Sequence, residues 1–78
     1  MIESQDLRDR ILEALPGASL VEVRDMTGTA DHYEVRIIAS EFLGLGLIER
    51  HRKVHAALQD VIGGALHALS LKTLAPGE

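Results

Sequence analysis

Three of the four histidines and three of the eight basic side chains fall within eighteen residues, in Arg50-His51-Arg52-Lys53-Val54-His55 and Gly63-Gly64-Ala65-Leu66-His67-Ala68-Leu69. An imidazole carries a proton near neutral pH or ligates iron, zinc or copper. The chain has no cysteine, so it cannot by itself make a disulfide framework, a thiolate zinc site or a self-contained iron–sulfur site. His32 and His67, with Asp31 as the only carboxylate nearby, do not complete a stable metal site. Completion from outside is chemically easier: a [2Fe–2S] cluster with thiolates on one iron and imidazoles on the other is a known arrangement. Here the thiolates would belong to a partner.

The elements that must position these groups are read from periodicity. Leu7, Ile11, Ala14 and Leu15 recur at helical spacing behind Ser4 as a cap, and Pro16-Gly17 stops the pattern. Over residues 19–26, Val21 and Val23 alternate with Glu22 and Arg24, the period of a half-buried strand. Tyr33, Val35, Ile37 and Ala39 alternate with Glu34, Arg36, Ile38 and Ser40 as a second strand. Between the two, Thr27-Gly28-Thr29-Ala30-Asp31-His32 is a loop longer than a hairpin requires. Residues 42–46 read as a turn. A helix follows with Leu47, His51, Val54, Leu58 and Val61 on one face and Arg50, Lys53 and Asp60 elsewhere. Gly63-Gly64 ends it, and residues 66–73 read as a third strand with Leu69 and Leu71 on one side.

This order, α-β-β-α-β over residues 1–78, predicts a single α+β domain with helices on one face of a three-stranded mixed sheet. A helical crossover between neighbouring strands makes them parallel. His32 and His67, each at a strand start, would then lie at one end of the sheet on strands about 5 Å apart. The plainer reading of each is a surface or hydrogen-bonded histidine. His51 is expected as a satisfied core or boundary histidine, and His55 nearer the polar flank.

Arg50, Arg52 and Lys53 spread over more than one helix face, which usually means a solvated surface; the other reading is a footprint for phosphate or an acidic protein. A net charge of -4 weighs against coating nucleic acid by charge alone. There is no GXXG segment, and one Tyr and one Phe make a poor stacking platform. No nucleophile–base set, Gly-rich phosphate loop or His-Glu-x-x-His pattern is present, so the protein is not expected to be an enzyme. No apolar run is long enough to span a membrane, and the first residues are too acidic and polar for a signal peptide. A cytoplasmic location is expected.

Several segments together carry a resemblance. They are Asp31-His32-Tyr33, Phe42 with Gly44, Arg50-His51-Arg52 with Val54 and Leu58, Gly64-Ala65-Leu66-His67-Ala68-Leu69, and Thr73-Leu74-Ala75-Pro76. The chain resembles the short bacterial-type members of the BolA family from about Leu7 to Pro76. That resemblance implies a type II KH-like fold and partnership with a monothiol glutaredoxin. The glutaredoxin cysteine and glutathione would supply thiolates to a shared [2Fe–2S] cluster, in iron–sulfur trafficking or iron sensing. His67 matches the family's histidine at the start of the last strand, and His32 stands where the second ligand, His or Cys, is found. Family members are also regarded as DNA-binding transcription regulators, a role that maps to Arg50, Arg52 and Lys53 and implies at most weak DNA binding here. Alone, the protein is expected to carry no cofactor and to be a monomer or weak dimer. Three positions depart from the family pattern: His55 stands where Tyr is common, and Leu45-Gly46 replaces a basic and small polar pair.

Overall fold

A computed structural model describes residues 3–26, 32–61 and 68–78. Helix α1 spans Ser4–Ala14 and buries Leu7 and Ile11 completely, with Leu15 closing the same face just beyond its end. The expected cap is displaced by one residue. Glu3 takes the extended cap position without a side-chain cap bond, and Ser4 is already helical. At the other end Pro16 cannot continue the ladder, and the chain turns through an Ala18 N–H to Leu15 carbonyl bond of 3.0 Å.

Gly17 in that turn is closely approached by the side chains of Ser40 and Glu41. A Cβ there would press on Ser40 Oγ and lie 2.6 Å from Glu41 Oε1, so both side chains would have to shift to admit one. The Gly17 N–H donates to Glu41 Oε2 at 2.7 Å, and this bond is the main cause holding the Glu41 carboxyl below its ordinary range.

Strand β1 spans Ala18–Asp25, β2 spans His32–Ala39 and β3 spans Ala68–Leu74, in sheet order β1-β2-β3. β1 and β2 are antiparallel, with Val23 opposite Val35 and Asp25 opposite Tyr33. β2 and β3 are parallel, from His32 opposite Ala68 to Ile38 opposite Leu74. The expected neighbouring parallel pair is therefore present. The period-2 pattern also holds: Tyr33, Val35, Ile37 and Ala39 are buried while Glu34 and Arg36 face solvent. Those four side chains, with Leu7, Ile11, Phe42, Val54 and Leu58, belong to one core cluster between the sheet and the helices.

A 3-10 turn at Ser40–Phe42 follows β2, and helix α2 spans Leu47–Ala57. The apolar period predicts a helix through Val61, but α2 ends four residues sooner. Leu58 N–H bonds to His55 O at 3.2 Å and Val61 N–H to Leu58 O at 3.0 Å, the i to i+3 pattern of a tightened terminus. Both side chains remain buried, so the turns carry the apolar period past the helix. At the other end the expectation fails: Leu47 is 64% exposed and its neighbour Ile48 69%. Periodicity marks a face of a helix but not how much of its length a neighbour covers.

The loop before β2, the Gly63-Gly64 stop and the start of the expected third strand, His67 included, lie outside the described residues. Among the described residues no helix is long and apolar enough to cross a membrane.

Candidate functional site

His32 is the first residue of β2, half-buried, on the strand positions that alternate with the core-facing Tyr33 and Val35. Its carbonyl accepts the Met26 N–H at 2.9 Å, extending the β1–β2 pairing past Asp25 and Tyr33. Its partner across the parallel pair is Ala68, the residue that follows His67 in the sequence. His67 itself and Asp31 lie outside the described residues. Among the described residues no group of three or more histidine and carboxylate side chains is placed to hold a metal ion. In the described part of the sheet, His32 alone offers an imidazole at this end.

The other two histidines lie on α2. His55 is exposed, as its place on the polar flank requires. His51 is half-buried on the inner side, a boundary histidine as expected, but among the described residues its buried Nε2 has no hydrogen-bond partner, so it is not the satisfied histidine expected. An unsatisfied buried polar atom of this kind costs about 1–3 kcal/mol. Thr73 Oγ1 on β3 is in the same condition.

The three basic residues of α2 separate. Arg52 and Lys53 are exposed, about 100° apart around the helix. Arg50 does not project outward as expected: its side chain is only 12% exposed. Its Nε donates to Leu45 O at 2.9 Å and its Nη1 to Thr73 O at 3.3 Å. The fork then closes on the Glu78 carboxylate through Nη1 to Oε1 and Nη2 to Oε2, the latter at 2.8 Å. Its Cζ sits 6.0 Å from the centre of the Phe42 ring. Arg50 thus ties the segment before α2 and the end of β3 to the tail, and its charge is not free to form a phosphate stripe with the other two.

Sequence reasoning missed Glu78 as the partner of Arg50, although a signal was present. Ala75-Pro76-Gly77-Glu78 has Pro and Gly at the two centres of a type II turn. The structure carries the Gly77 φ of 88° and a Glu78 N–H to Ala75 O bond of 3.1 Å. The turn folds the Glu78 side chain back to accept the Ala75 N–H at 2.9 Å as well.

The Arg50 fork, then the Ala75 N–H, lower the Glu78 carboxyl from its ordinary 4.5 to about 2. A carboxyl whose folded value lies below its unfolded one stabilises fully above the unfolded value and loses that contribution as pH falls through the folded one. Wild type is therefore expected to exceed Glu78→Gln in stability by a constant margin above about pH 4.5, and the margin to close between there and about pH 2. Urea unfolding of the pair across that range measures it. A margin that stays constant down to pH 2 would remove the ionised carboxylate as its cause.

Comparison with known proteins agrees with this architecture. A family model described as BolA-like protein matches residues 13–78. An uncharacterised protein of Rickettsia prowazekii is 33% identical over 73 residues, covering 94% of each chain. BolA-like protein 1 of Homo sapiens is 34% identical over 79 residues, covering 92% of this chain; the match spans 57% of the human protein's length. The solved structure of BolA1 from Arabidopsis thaliana aligns with a TM-score of 0.89 at 28% identity, over 99% of this chain and 98% of that one. The chain belongs to the BolA-like family.

Proposed function

We propose that this protein is a non-enzymatic, cytoplasmic adaptor. It binds a monothiol glutaredoxin and, with that protein's cysteine and glutathione, holds a shared [2Fe–2S] cluster in iron–sulfur trafficking or iron sensing. His67 and His32 are the proposed ligands from this chain. The observation that carries the reading is the parallel pairing of β2 and β3 that starts at His32 and Ala68. The chain thereby enters β3 beside the strand end that bears an imidazole. The donor chemistry fits half of such a cluster: the chain has imidazoles but no cysteine, so thiolates must come from outside. When bound, the cluster supplies iron as cargo or as a signal, and this chain's part is to ligate and orient it.

Family membership leaves a second reading, a nucleic-acid-binding regulator acting through Arg50, Arg52 and Lys53. The geometry favours it less, because two backbone carbonyls hold the Arg50 side chain inward, off the exposed surface that Arg52 and Lys53 present.

The test is to purify the protein alone and then mix it with a cluster-loaded monothiol glutaredoxin, recording visible absorption and circular dichroism. The isolated protein is expected to be colourless. The mixture is expected to show a spectrum distinct from that of the glutaredoxin homodimer. A brown, cluster-bearing protein obtained without partner or added thiol would overturn the assignment, and so would a mixture spectrum that is the plain sum of its parts.

A further inference from the structure

Three donors converge on one carboxylate at the end of β3: two N–H groups of the Arg50 fork and the Ala75 backbone N–H. Planar, paired donation from arginine is the geometry that recognises carboxylates and phosphates. The donor side is built independently of what it holds. Leu45 O and Thr73 O fix the guanidinium, and the side chain is nearly enclosed. The acceptor side is not built in that way. Glu78 is 44% exposed and reaches the site through a single turn centred on Pro76 and Gly77.

We propose that Arg50 and the Ala75 N–H form an oxyanion-binding site that Glu78 fills in cis, and that a phosphate-bearing ligand takes the place of the Glu78 carboxylate. This proposal rests on the Arg50 contacts and not on the cluster reading. Phosphate is preferred over carboxylate for a local reason: as a dianion it can present three oxygens to the three donors, whereas the Glu78 carboxylate shares Oε1 between Arg50 Nη1 and the Ala75 N–H. Because the intramolecular carboxylate has a high effective concentration, a free monovalent anion competes poorly. A ligand with contacts beyond the oxyanion competes better. Glu78 is then an internal competitor that keeps the site shut.

The experiment follows the Ala75 amide and the Arg50 Nε–H by 1H–15N NMR, titrating inorganic phosphate against chloride at fixed ionic strength, with acetate as a second arm. Wild type, Glu78→Ala, Gly77→Ala and the double variant Arg50→Gln with Glu78→Ala are compared. Gly77 has a φ of 88° and open space around it, so alanine there strains the turn while leaving all three donors in place. Glu78→Ala is expected to bind phosphate roughly tenfold or more tightly than wild type, as removal of an intramolecular competitor requires. Gly77→Ala should fall between the two, and the double variant should lose the response. A stronger response to phosphate than to acetate assigns the site to phosphate ligands, and the reverse to carboxylate ligands. Equal phosphate binding by wild type and Glu78→Ala overturns the proposal, as does a response that survives in the double variant. If Glu78→Ala and Gly77→Ala both fail to fold, the carboxylate is a fixed part of the structure and the proposal fails.

Discussion

Replacing His67 by alanine is expected to strip the mixed imidazole–thiolate spectrum from the heterocomplex and return the cluster to the spectrum of the glutaredoxin homodimer. Under the proposed function His67 is a direct iron ligand. No cysteine elsewhere in the chain can replace it, and an imidazole lost from iron changes both charge and donor set. His32→Ala should act in the same direction with a smaller amplitude, because a water or a neighbouring group can fill a vacated position at a strand end. His32 is only half-buried, so its removal should leave the sheet intact. His51→Ala is the control. It removes packing on the inner face of α2 but also the unsatisfied Nε2, so the two effects partly cancel. A modest loss of stability with an unchanged cluster spectrum is the expected outcome. Thermal unfolding of the three variants beside their heterocomplex spectra makes the comparison. A folded His67→Ala protein that still forms the wild-type mixed cluster would remove His67 from the site.

The sheet was legible in the sequence because β2 carries a clear period of two. Tyr33, Val35, Ile37 and Ala39 recur at every second position, with Ile38 the one apolar residue on the other face, and the structure buries all four. The parallel pairing of β2 with β3 followed from the crossover between them. The ends of elements were less legible, for an identifiable reason. Leu58 and Val61 keep the apolar period of α2 although their backbones have left the helix, so side-chain pattern and hydrogen-bond pattern part company there. Leu47 shows the converse, an apolar residue in register with the buried face that no neighbour covers.

At the site, His32 could be placed from sequence because a strand start is defined by local pattern. The role of Arg50 could not. Its partners Leu45, Thr73 and Glu78 come from three segments up to 28 residues away, and a charge in a basic run looks solvated until its long-range partner is known. Only the Pro76-Gly77 turn hinted that the tail folds back.

The largest effect on stability is expected at Phe42, which is fully buried and ends the 3-10 turn leading from β2 toward α2. Its carbonyl accepts the Leu45 N–H at 3.1 Å, so the ring anchors the segment whose Leu45 carbonyl holds Arg50. Phe42→Ala removes a large side chain from a core with only one other large aromatic, Tyr33, and such truncations cost about 3–5 kcal/mol. At about 0.05–0.15 kcal/mol per residue, a chain of this length has roughly 4–12 kcal/mol in all. The variant therefore loses a large part of its stability. Each kcal/mol lowers Tm by about 4–8 °C in a domain this small, which brings Phe42→Ala close to unfolding at ordinary temperature. Phe42→Leu keeps most of the apolar volume and should fall well short of that loss, giving a folded point of reference. The guanidinium of Arg50 loses its aromatic neighbour in both variants, a contribution of about 0.5–2 kcal/mol that is common to the two and does not account for the difference between them. Calorimetric or circular-dichroism melts of wild type, Phe42→Leu and Phe42→Ala measure the series. If Phe42→Ala melts within a few degrees of wild type, Phe42 does not anchor the core and the tie from β2 to α2 must be sought elsewhere.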